Sequence, residues 1–307
     1  MLSINQKTIA ANVNFSGIGL HSGKKTKMTI LPAKEDEGII FKRIDLKKNN
    51  LIKANYKNVS SAKLCTTLEN FYGAKVSTVE HLLAAFYIAG VDNAIVEIDN
   101  EEVPIMDGSA KDFLKALNKI NTKTLNKKRK FLKILDKFEI VDGLKKISIE
   151  KSDTSFEVNF QLDYKNKIIG KQKNIVNFSN DALADVVESR TFCLFEDIEK
   201  IKKAGLAKGG SLDNAVVVDS EKVLNAGGLR NSKEFVNHKI LDLAGDFLLS
   251  GYRVIGKVNC YQGGHELTNI FLRKLFQSKH AYVIEESTNS IIKSKETNHF
   301  PKIAVNA

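Results

Sequence analysis

The chain runs twice through the same order, strands first and helices afterwards, and this repeated order is what most constrains the fold. Alternation of apolar and polar residues predicts strands, and apolar residues three to four positions apart predict helices. In the first half the predicted elements are strands at 8–15, 28–31 and 94–98 and helices at 79–89 and 110–120. In the second half they are strands at 131–141, 145–151, 156–163, 215–218 and 253–261 and helices at 180–188, 195–204, 233–249 and 268–276.

A polar and basic stretch at 121–130 lies between the two halves, and it carries no apolar periodicity. We interpret it as a linker, because solvated connectors have this composition. The chain is therefore expected to form two similar α+β layers packed together. The predicted domains are 1–122, with a strand-rich insertion at 39–67, and 131–307, with an insertion near 193–222.

The composition is typical of a soluble globular protein, with 43% hydrophobic and 27% charged residues among 307. No signal-peptide pattern occurs at the N-terminus, and the longest apolar run, 82–91, is shorter than the roughly 20 residues that span a membrane. We therefore expect a cytoplasmic protein with no transmembrane segment. The three cysteines are widely and irregularly spaced, which argues against a disulfide framework and against a cysteine zinc knuckle.

The formal net charge of +11 attracts anions, but its sign alone does not choose among nucleic acid, anionic lipid and a phosphorylated small molecule. A Lys-rich background composition also explains much of the excess. Nucleic-acid binding further predicts a recognisable module, or basic residues interleaved with exposed aromatics. The lysines here are dispersed and no such module occurs, so no nucleic-acid partner is expected.

The long predicted helix at 233–249 carries a set of residues that can hold a metal ion. His238, Asp242 and Asp246 are four residues apart and therefore share one helix face. A histidine and a carboxylate one turn apart can chelate a divalent metal without any change in the backbone. Taken alone, the pattern is more often a pair of neighbours on a helix surface than a ligand set.

A second set of candidate residues, Glu80 and His81, lies in the first turn of the predicted helix at 79–89. Ser77 and Thr78 precede this helix, and either can cap its N-terminus. His81 in the first turn is a candidate third ligand, and Glu80 would then lie close to the water that the metal holds. Three protein ligands and one open position are the arrangement of a hydrolytic zinc site. Alternatively, Glu80 is an acid favoured by the helix dipole and His81 a hydrogen-bonded core imidazole.

Two shorter pieces complete the candidate chemistry. Gly263-Gly264-His265 follows the strand at 253–261, which places an imidazole on a loop where catalytic groups are common. The run Ser-Arg-Thr-Phe at 189–192 forms a loop behind a predicted helix. The alternatives are an exposed turn for the first piece and ordinary packing for the second.

Seven motifs occur in one order along essentially the whole chain. They are GIGLHSG at 17–23, VSTVEHLLAA at 76–85, SRTF at 189–192, GGSLDNA at 209–215, GGLR at 227–230, HKILDLAGD at 238–246 and GH at 264–265. Each is weak alone, but the ordered set is highly specific. With it the chain resembles the UDP-3-O-acyl-N-acetylglucosamine deacetylases of lipid A biosynthesis, which are zinc-dependent enzymes.

The resemblance implies a role for individual residues. The zinc ligands would be His81, His238 and Asp242, in a set that also accepts Fe(II). Glu80 would accept a proton from the metal-bound water, and His265, oriented by Asp246, would protonate the departing amine. Thr191 would stabilise the oxyanion. The residues implied to bind substrate are Lys239, Phe192, Leu20, His21, Gly210 and Ala215.

The resemblance also implies an α+β fold of two similar α/β-sandwich halves, with the sheets outside, the helices packed between them and a small insertion in each half. The insertion near 193–222 would form an apolar passage for an acyl chain. The implied partner is a UDP-linked acylated amino sugar. Separately, we expect a monomer that makes transient contact with a membrane surface. Gln262 stands where many relatives are expected to carry a basic residue.

Two other functions remain open at this point. The nearest is a zinc amidohydrolase that acts on another acetylated sugar, either amide-linked or not attached to a nucleotide. A catalytically inactive scaffold of the same fold is disfavoured, because every residue that the chemistry needs is present.

Overall fold

The computed structural model describes residues 4–153 and 155–288, and this part of the chain has an α+β fold. The end of the predicted second domain, 289–307, lies outside the described residues. The first half contains β1 (Asn5–Ile9), β2 (Val13–Ile18), β3 (Lys25–Pro32), β4 (Ile39–Arg43), β5 (Leu51–Lys53), β6 (Val59–Ser61), β7 (Thr67–Glu69), β8 (Lys75–Val76), α1 (Glu80–Ala89), β9 (Ala94–Ile98), α2 (Lys111–Ile120) and β10 (Thr122–Lys128).

The second half contains β11 (Lys130–Ile134), β12 (Phe138–Asp142), β13 (Lys145–Glu150), β14 (Phe156–Asp163), β15 (Lys171–Asn177), α3 (Ala184–Val187), β16 (Phe192–Leu194), α4 (Phe195–Lys203), β17 (Val216–Val218), α5 (Glu234–Leu248), β18 (Arg253–Tyr261), α6 (His265–Leu275) and β19 (Tyr282–Glu286). These elements supply a separate sheet for each half of the chain.

The first half forms a five-stranded sheet in the order β2-β3-β9-β4-β5, in which only β4 and β9 run parallel. The stretch 39–67, predicted as a strand-rich insertion, supplies β4 and β5 to this sheet, whereas β6 belongs to a separate three-stranded sheet with β7 and β8. The second half forms a seven-stranded sheet around β18, a strand long enough to pair with β13, β14 and β11. A parallel pair of β16 and β17 belongs to the predicted insertion near 193–222.

The helices connect the two sheets. Helix α2 packs against β2 of the first sheet, whereas α5 packs against β14 and β15 and α6 against β12 and β13 of the second. Helix α1 packs against both α2 and α5. One continuous apolar core results, with Phe86 and Phe247 among its fully buried side chains. The α+β class is thereby confirmed, whereas the similarity of the two halves stays a prediction.

The interpretation of 121–130 as a linker is wrong. Most of this stretch is β10, which pairs antiparallel with β1 in a two-stranded ribbon. Because its side chains are half-buried or exposed and mostly polar, the strand lacks the apolar alternation by which a strand is predicted. The segments predicted as single strands at 8–15 and at 131–141 each extend over parts of two strands, β1 with β2 and β11 with β12. The sequence patterns do not predict β15 and β19.

Local interactions mark the ends of helices α1 and α2. Gly90 ends α1 in the left-handed conformation, with φ of 77°, and Ser109 Oγ accepts a hydrogen bond from the Lys111 amide at the start of α2. Neither Ser77 nor Thr78 caps α1, since their hydroxyls donate to the Glu101 carbonyl and to the Glu102 carboxylate.

Helices α1 and α5 approach so closely that only glycine fits at their contact. A Cβ atom on Gly245 of α5 would lie 2.1 Å from the carbonyl oxygen of Glu80 and 3.1 Å from the amide nitrogen of Ala84. These are backbone atoms of a buried helix, so they cannot move aside as a flexible side chain could. The absence of a side chain at 245 therefore sets the distance between the two helices.

We expect Gly245→Ala to lower the free energy of unfolding by about 1–3 kcal/mol, the usual effect of overpacking a core. Chemical denaturation followed by circular dichroism measures this change. The matched control is Gly227→Ala, because a Cβ at exposed Gly227 meets no atom within 4 Å. Equal stability of the two variants would contradict the close approach of α1 and α5.

Candidate active site

The crossing of α1 and α5 brings three of the predicted residues together. His81 lies in the first turn of α1, and His238 and Asp242 lie one turn apart on α5. Each offers one ligand atom, and these atoms all lie within 4.8 Å of one another. Oδ1 of Asp242 is 3.5 Å from Nε2 of His81 and 3.3 Å from Nε2 of His238. All three side chains are buried.

The hydrogen bonds of this cluster leave its inner atoms free for a cation. Oδ1 of Asp242 is buried and accepts no hydrogen bond, whereas Oδ2 accepts one from Nζ of Lys239 at 2.8 Å. Nδ1 of His238 faces the Ser189 carbonyl at 3.1 Å, so this nitrogen carries the proton and Nε2 keeps its lone pair. Two imidazole nitrogens and an unpartnered carboxylate oxygen are the donor set of a divalent metal.

The charges of the cluster favour the same state. Burial lowers the pKa of His238 to about 3, which keeps this imidazole neutral, the form that binds metal. Burial alone would raise the pKa of Asp242, but His238 and Lys239 hold it well below its usual range. The carboxylate is therefore ionised and its negative charge faces the two imidazoles.

A second group of buried polar side chains lies beside the cluster. Nδ1 of His265 is 2.7 Å from Oδ2 of Asp246, and Nε2 of His265 is 3.6 Å from Oε1 of Glu80. Burial lowers the pKa of His265, but the charges of Asp246 and Glu80 outweigh it and raise this pKa to about 10. His265 is therefore a cation at neutral pH, held between two carboxylates. It begins α6, so the prediction that it lies on a loop is wrong.

Thr66 links the two carboxylates of this group. Its hydroxyl donates to Oδ1 of Asp246 at 2.7 Å and its amide donates to Oε2 of Glu80 at 3.1 Å. Sequence reasoning missed Thr66, because a threonine in a short insertion carries no signal of its own. Its neighbour Cys65 is buried, and burial together with the charge of Glu80 raises the pKa of this thiol to about 12.

Three further predicted residues, Phe192, Lys239 and Thr191, lie on or next to the segments that carry the cluster. The ring of Phe192 is 6.3 Å from that of His238, and Nζ of Lys239 lies 5.7 Å from the Phe192 ring centre. Thr191, just before β16, is held by its backbone, since its amide donates to the Gly108 carbonyl at 2.8 Å. Gln262 is engaged elsewhere, because its side chain donates to the carbonyl of Asp163.

The remaining predicted residues lie where the loop after β2 meets the insertion. The Gly209 amide donates to the Leu20 carbonyl at 3.0 Å, and a Cβ on Gly210 would lie 3.7 Å from Cδ1 of Leu20. Nδ1 of His21 accepts from the Ala207 amide at 3.4 Å, and its buried Nε2 has no hydrogen-bond partner. Ala215 is buried farther along the insertion, just before β17.

The charge of the cluster extends to this loop. Burial lowers the pKa of His21, and the positive charge of His265 adds to this effect, against the opposing charge of Glu102. The insertion itself presents apolar side chains to its surroundings, since no residue of α4 is buried and Phe195 and Leu212 are exposed.

Comparison with known proteins decides the family. The family described as UDP-3-O-acyl N-acetylglycosamine deacetylase (LpxC) matches residues 6–277. The chain belongs to this deacetylase family.

Relatives that carry the name UDP-3-O-acyl-N-acetylglucosamine deacetylase cover almost the whole chain. The protein of Citrifermentans bemidjiense is 41% identical over 286 residues, which are 93% of this chain and 93% of that protein. The protein of Pseudoalteromonas translucida is 40% identical over 91% of this chain and 93% of its own length. That of Pasteurella multocida is 39% identical, with coverage of 91% and 92%.

Membership of the deacetylase family makes this chain an enzyme of a metal-dependent family, and the cluster of His81, His238 and Asp242 is the group that could hold the metal. The resemblance drawn from seven motifs is thereby confirmed. None of the helices in the described part of the chain is long and apolar enough to cross a membrane.

We expect Asp242→Ala to lower zinc affinity by more than about 100-fold, since loss of an outer partner of a ligand alone costs about 10–100-fold. Inductively coupled plasma mass spectrometry of the purified, dialysed protein measures its zinc content and so tests this loss of affinity. Asp246→Asn is the matched control on the same helix face, because both Asp246 oxygens are already bonded by His265 and Thr66. Equal zinc in the two variants would exclude Asp242 as a ligand.

Proposed function

We propose that this chain hydrolyses the N-acetyl group of UDP-3-O-acyl-N-acetylglucosamine, giving acetate and the free amine, in lipid A biosynthesis. The name of the relatives supports this substrate. The observation that carries the proposal is the unpartnered Oδ1 of Asp242, which faces two imidazoles next to a buried pair of Glu80 and His265. These contacts support a metal site next to a proton donor and a proton acceptor.

The metal that we propose is zinc, held by His81, His238 and Asp242, with Fe(II) as the alternative for the same donor set. Zinc bound there would polarise the acetyl carbonyl and lower the pKa of the attacking water. The fit of the site to a cation is supported by the ionised Asp242 and by the neutral His238. Lys239 balances part of the negative charge through its hydrogen bond to Asp242.

Glu80 is proposed to accept the proton of the water as its oxygen attacks the acetyl carbon. Burial raises the pKa of Glu80, although His265 opposes the rise, so its carboxylate is a stronger base than an exposed one. Thr66 holds one of its oxygens through an amide hydrogen bond, which leaves Oε1 towards His265. The base is therefore fixed in orientation before the substrate arrives.

His265 is proposed to donate the proton that the departing nitrogen needs when its bond to the acetyl carbon breaks. The hydrogen bond of Nδ1 to Asp246 leaves the proton on Nε2 to face Glu80 and the cluster. Asp246 is itself held by Thr66, so the imidazolium has one orientation. Thr191 is proposed to donate a hydrogen bond to the oxyanion that forms on the former carbonyl.

Substrate contacts are proposed for the residues around this centre. The cation of Lys239 and the ring of Phe192 lie against each other beside His238. Leu20, His21 and Gly210 lie at the junction of the loop after β2 with the insertion, and Ala215 lies farther along the insertion. This insertion is proposed to form the acyl-chain passage. Its exposed apolar residues support that role. A cytoplasmic location, a monomeric state and transient contact with a membrane surface remain predictions.

Purified protein incubated with UDP-3-O-acyl-N-acetylglucosamine is expected to release acetate, which mass spectrometry follows as loss of the acetyl group. Chelator should abolish release, and one equivalent of zinc should restore it. Glu80→Gln and His265→Gln should each lower kcat by about 10²–10⁴-fold, the usual share of acid–base catalysis, while keeping bound zinc.

Failure of zinc-loaded, folded wild type to turn over either this substrate or its amide-linked analogue would overturn the proposed substrate. Turnover of a simpler acetylated sugar in that case would favour the alternative, a zinc amidohydrolase with another substrate. Loss of zinc from Glu80→Gln would instead contradict the role of Glu80 as a base outside the ligand set.

A further inference from the structure

A buried carboxylate outside the metal cluster joins two segments of the first half. Glu102 is 1% exposed and accepts three hydrogen bonds. The amide of His21 donates to its Oε1 at 2.8 Å and the amide of Ser22 donates to its Oε2 at 2.7 Å. The third donor is the hydroxyl of Thr78, 2.9 Å from Oε1.

No lysine or arginine pairs with this carboxylate within the described ranges 4–153 and 155–288. Burying an unpaired carboxylate is unfavourable unless hydrogen bonds replace its lost hydration. The two backbone amides and the hydroxyl do so, and both oxygens are used. Each donor is therefore held at a defined position around Glu102.

One of the two joined segments, the entry to α1 at Thr78, has a strained backbone that needs local interactions to hold it. Thr78 has φ of 55°, in the left-handed region that a β-branched residue rarely adopts. It stands two residues before Glu80, at the entry to α1. Ser77, the residue before Thr78, forms a parallel β-bridge with Glu102. The backbone of Glu102 therefore lies next to this segment, and its side chain reaches the Thr78 hydroxyl.

The other segment is the loop 19–23, and it is shaped around the same carboxylate. A Cβ on Gly19 would lie 2.3 Å from Oε2 of Glu102, which leaves room there only for glycine. The loop returns on itself through the bond from the Gly23 amide to the Gly19 carbonyl at 3.0 Å. Its backbone thus wraps Glu102 and presents Leu20 and His21 towards the insertion.

From this geometry we infer that Glu102 is a positioning residue, which fixes the loop 19–23 relative to the first turn of α1. The inference rests on the proposed function, in which this loop binds the acylated substrate and that turn carries Glu80 and His81. Glu102 touches neither the metal cluster nor the reacting atoms. It acts through the two segments that it joins.

The variant Glu102→Gln keeps the size of the side chain but replaces one acceptor oxygen by an NH₂ group that faces a donor. We expect kcat/KM of the zinc-loaded enzyme to fall by about 10–100-fold, as for a small displacement of positioned groups, with a raised KM as part of the loss. Amide hydrogen exchange, measured by mass spectrometry, should become at least tenfold faster in peptides that cover 19–23.

Asp92→Asn is the matched control. Asp92 is also a largely buried carboxylate that accepts a backbone amide bond, but it lies beyond the C-terminal end of α1 and pairs with Arg129. This variant should lose stability while it keeps the wild-type KM and wild-type exchange in 19–23. Wild-type exchange at 19–23 in Glu102→Gln, or a wild-type KM, would overturn the inference.

Thr78→Val and Thr78→Ser test the same carboxylate if Glu102→Gln does not fold. Valine removes the hydroxyl and keeps the shape, so exchange in 77–81 should increase, whereas serine keeps the donor and should restore wild-type exchange. Equal exchange in both variants contradicts the inference. A wild type that does not deacetylate the substrate refutes the proposed function, and the exchange comparison still decides whether Glu102 holds the two segments.

Discussion

The contact of α1 with α5 at Gly245 is the constraint on which the site depends. At that point the backbone of Glu80 lies directly against α5, with no side chain between the helices. His81 then follows at a distance from His238 and Asp242 that one cation can bridge. A methyl group at 245 would push the two helices apart. The fold can tolerate such a small displacement, but the ligand atoms of His81, His238 and Asp242 could then no longer all reach one cation.

This packing also concentrates charge in the buried interior of the protein. Glu80, Asp242 and Asp246 are all buried, and each is balanced by a neighbour rather than by solvent. The cation of His265 lies between Glu80 and Asp246, and Lys239 bonds to Asp242. Because interactions between charges are stronger in a low dielectric, removing one partner would shift the protonation of the others. A change at the metal ligands would therefore also change the protonation of Glu80 and His265.

The sequence predicts the parts of this arrangement that follow from local periodicity. The strands β9 and β18 agree with their predicted bounds and α5 begins and ends within one residue, because buried elements carry continuous apolar patterns. The strands β10 and β15 escape prediction, since most of their side chains are exposed or half-buried and polar.

The same distinction applies to the site. His238, Asp242 and Asp246 could be predicted to share a face because helical spacing alone brings them together. Thr66 and Glu102 could not, since each meets its partners only after the chain has folded, and Thr66 lies 180 residues from Asp246 along the chain. The contact between the loop 19–23 and the insertion is of this second kind as well. A Cβ on Gly209 would meet the Gly19 carbonyl at 2.3 Å, so the loop and the insertion touch through their backbones, a contact between residues 190 positions apart that no local pattern announces.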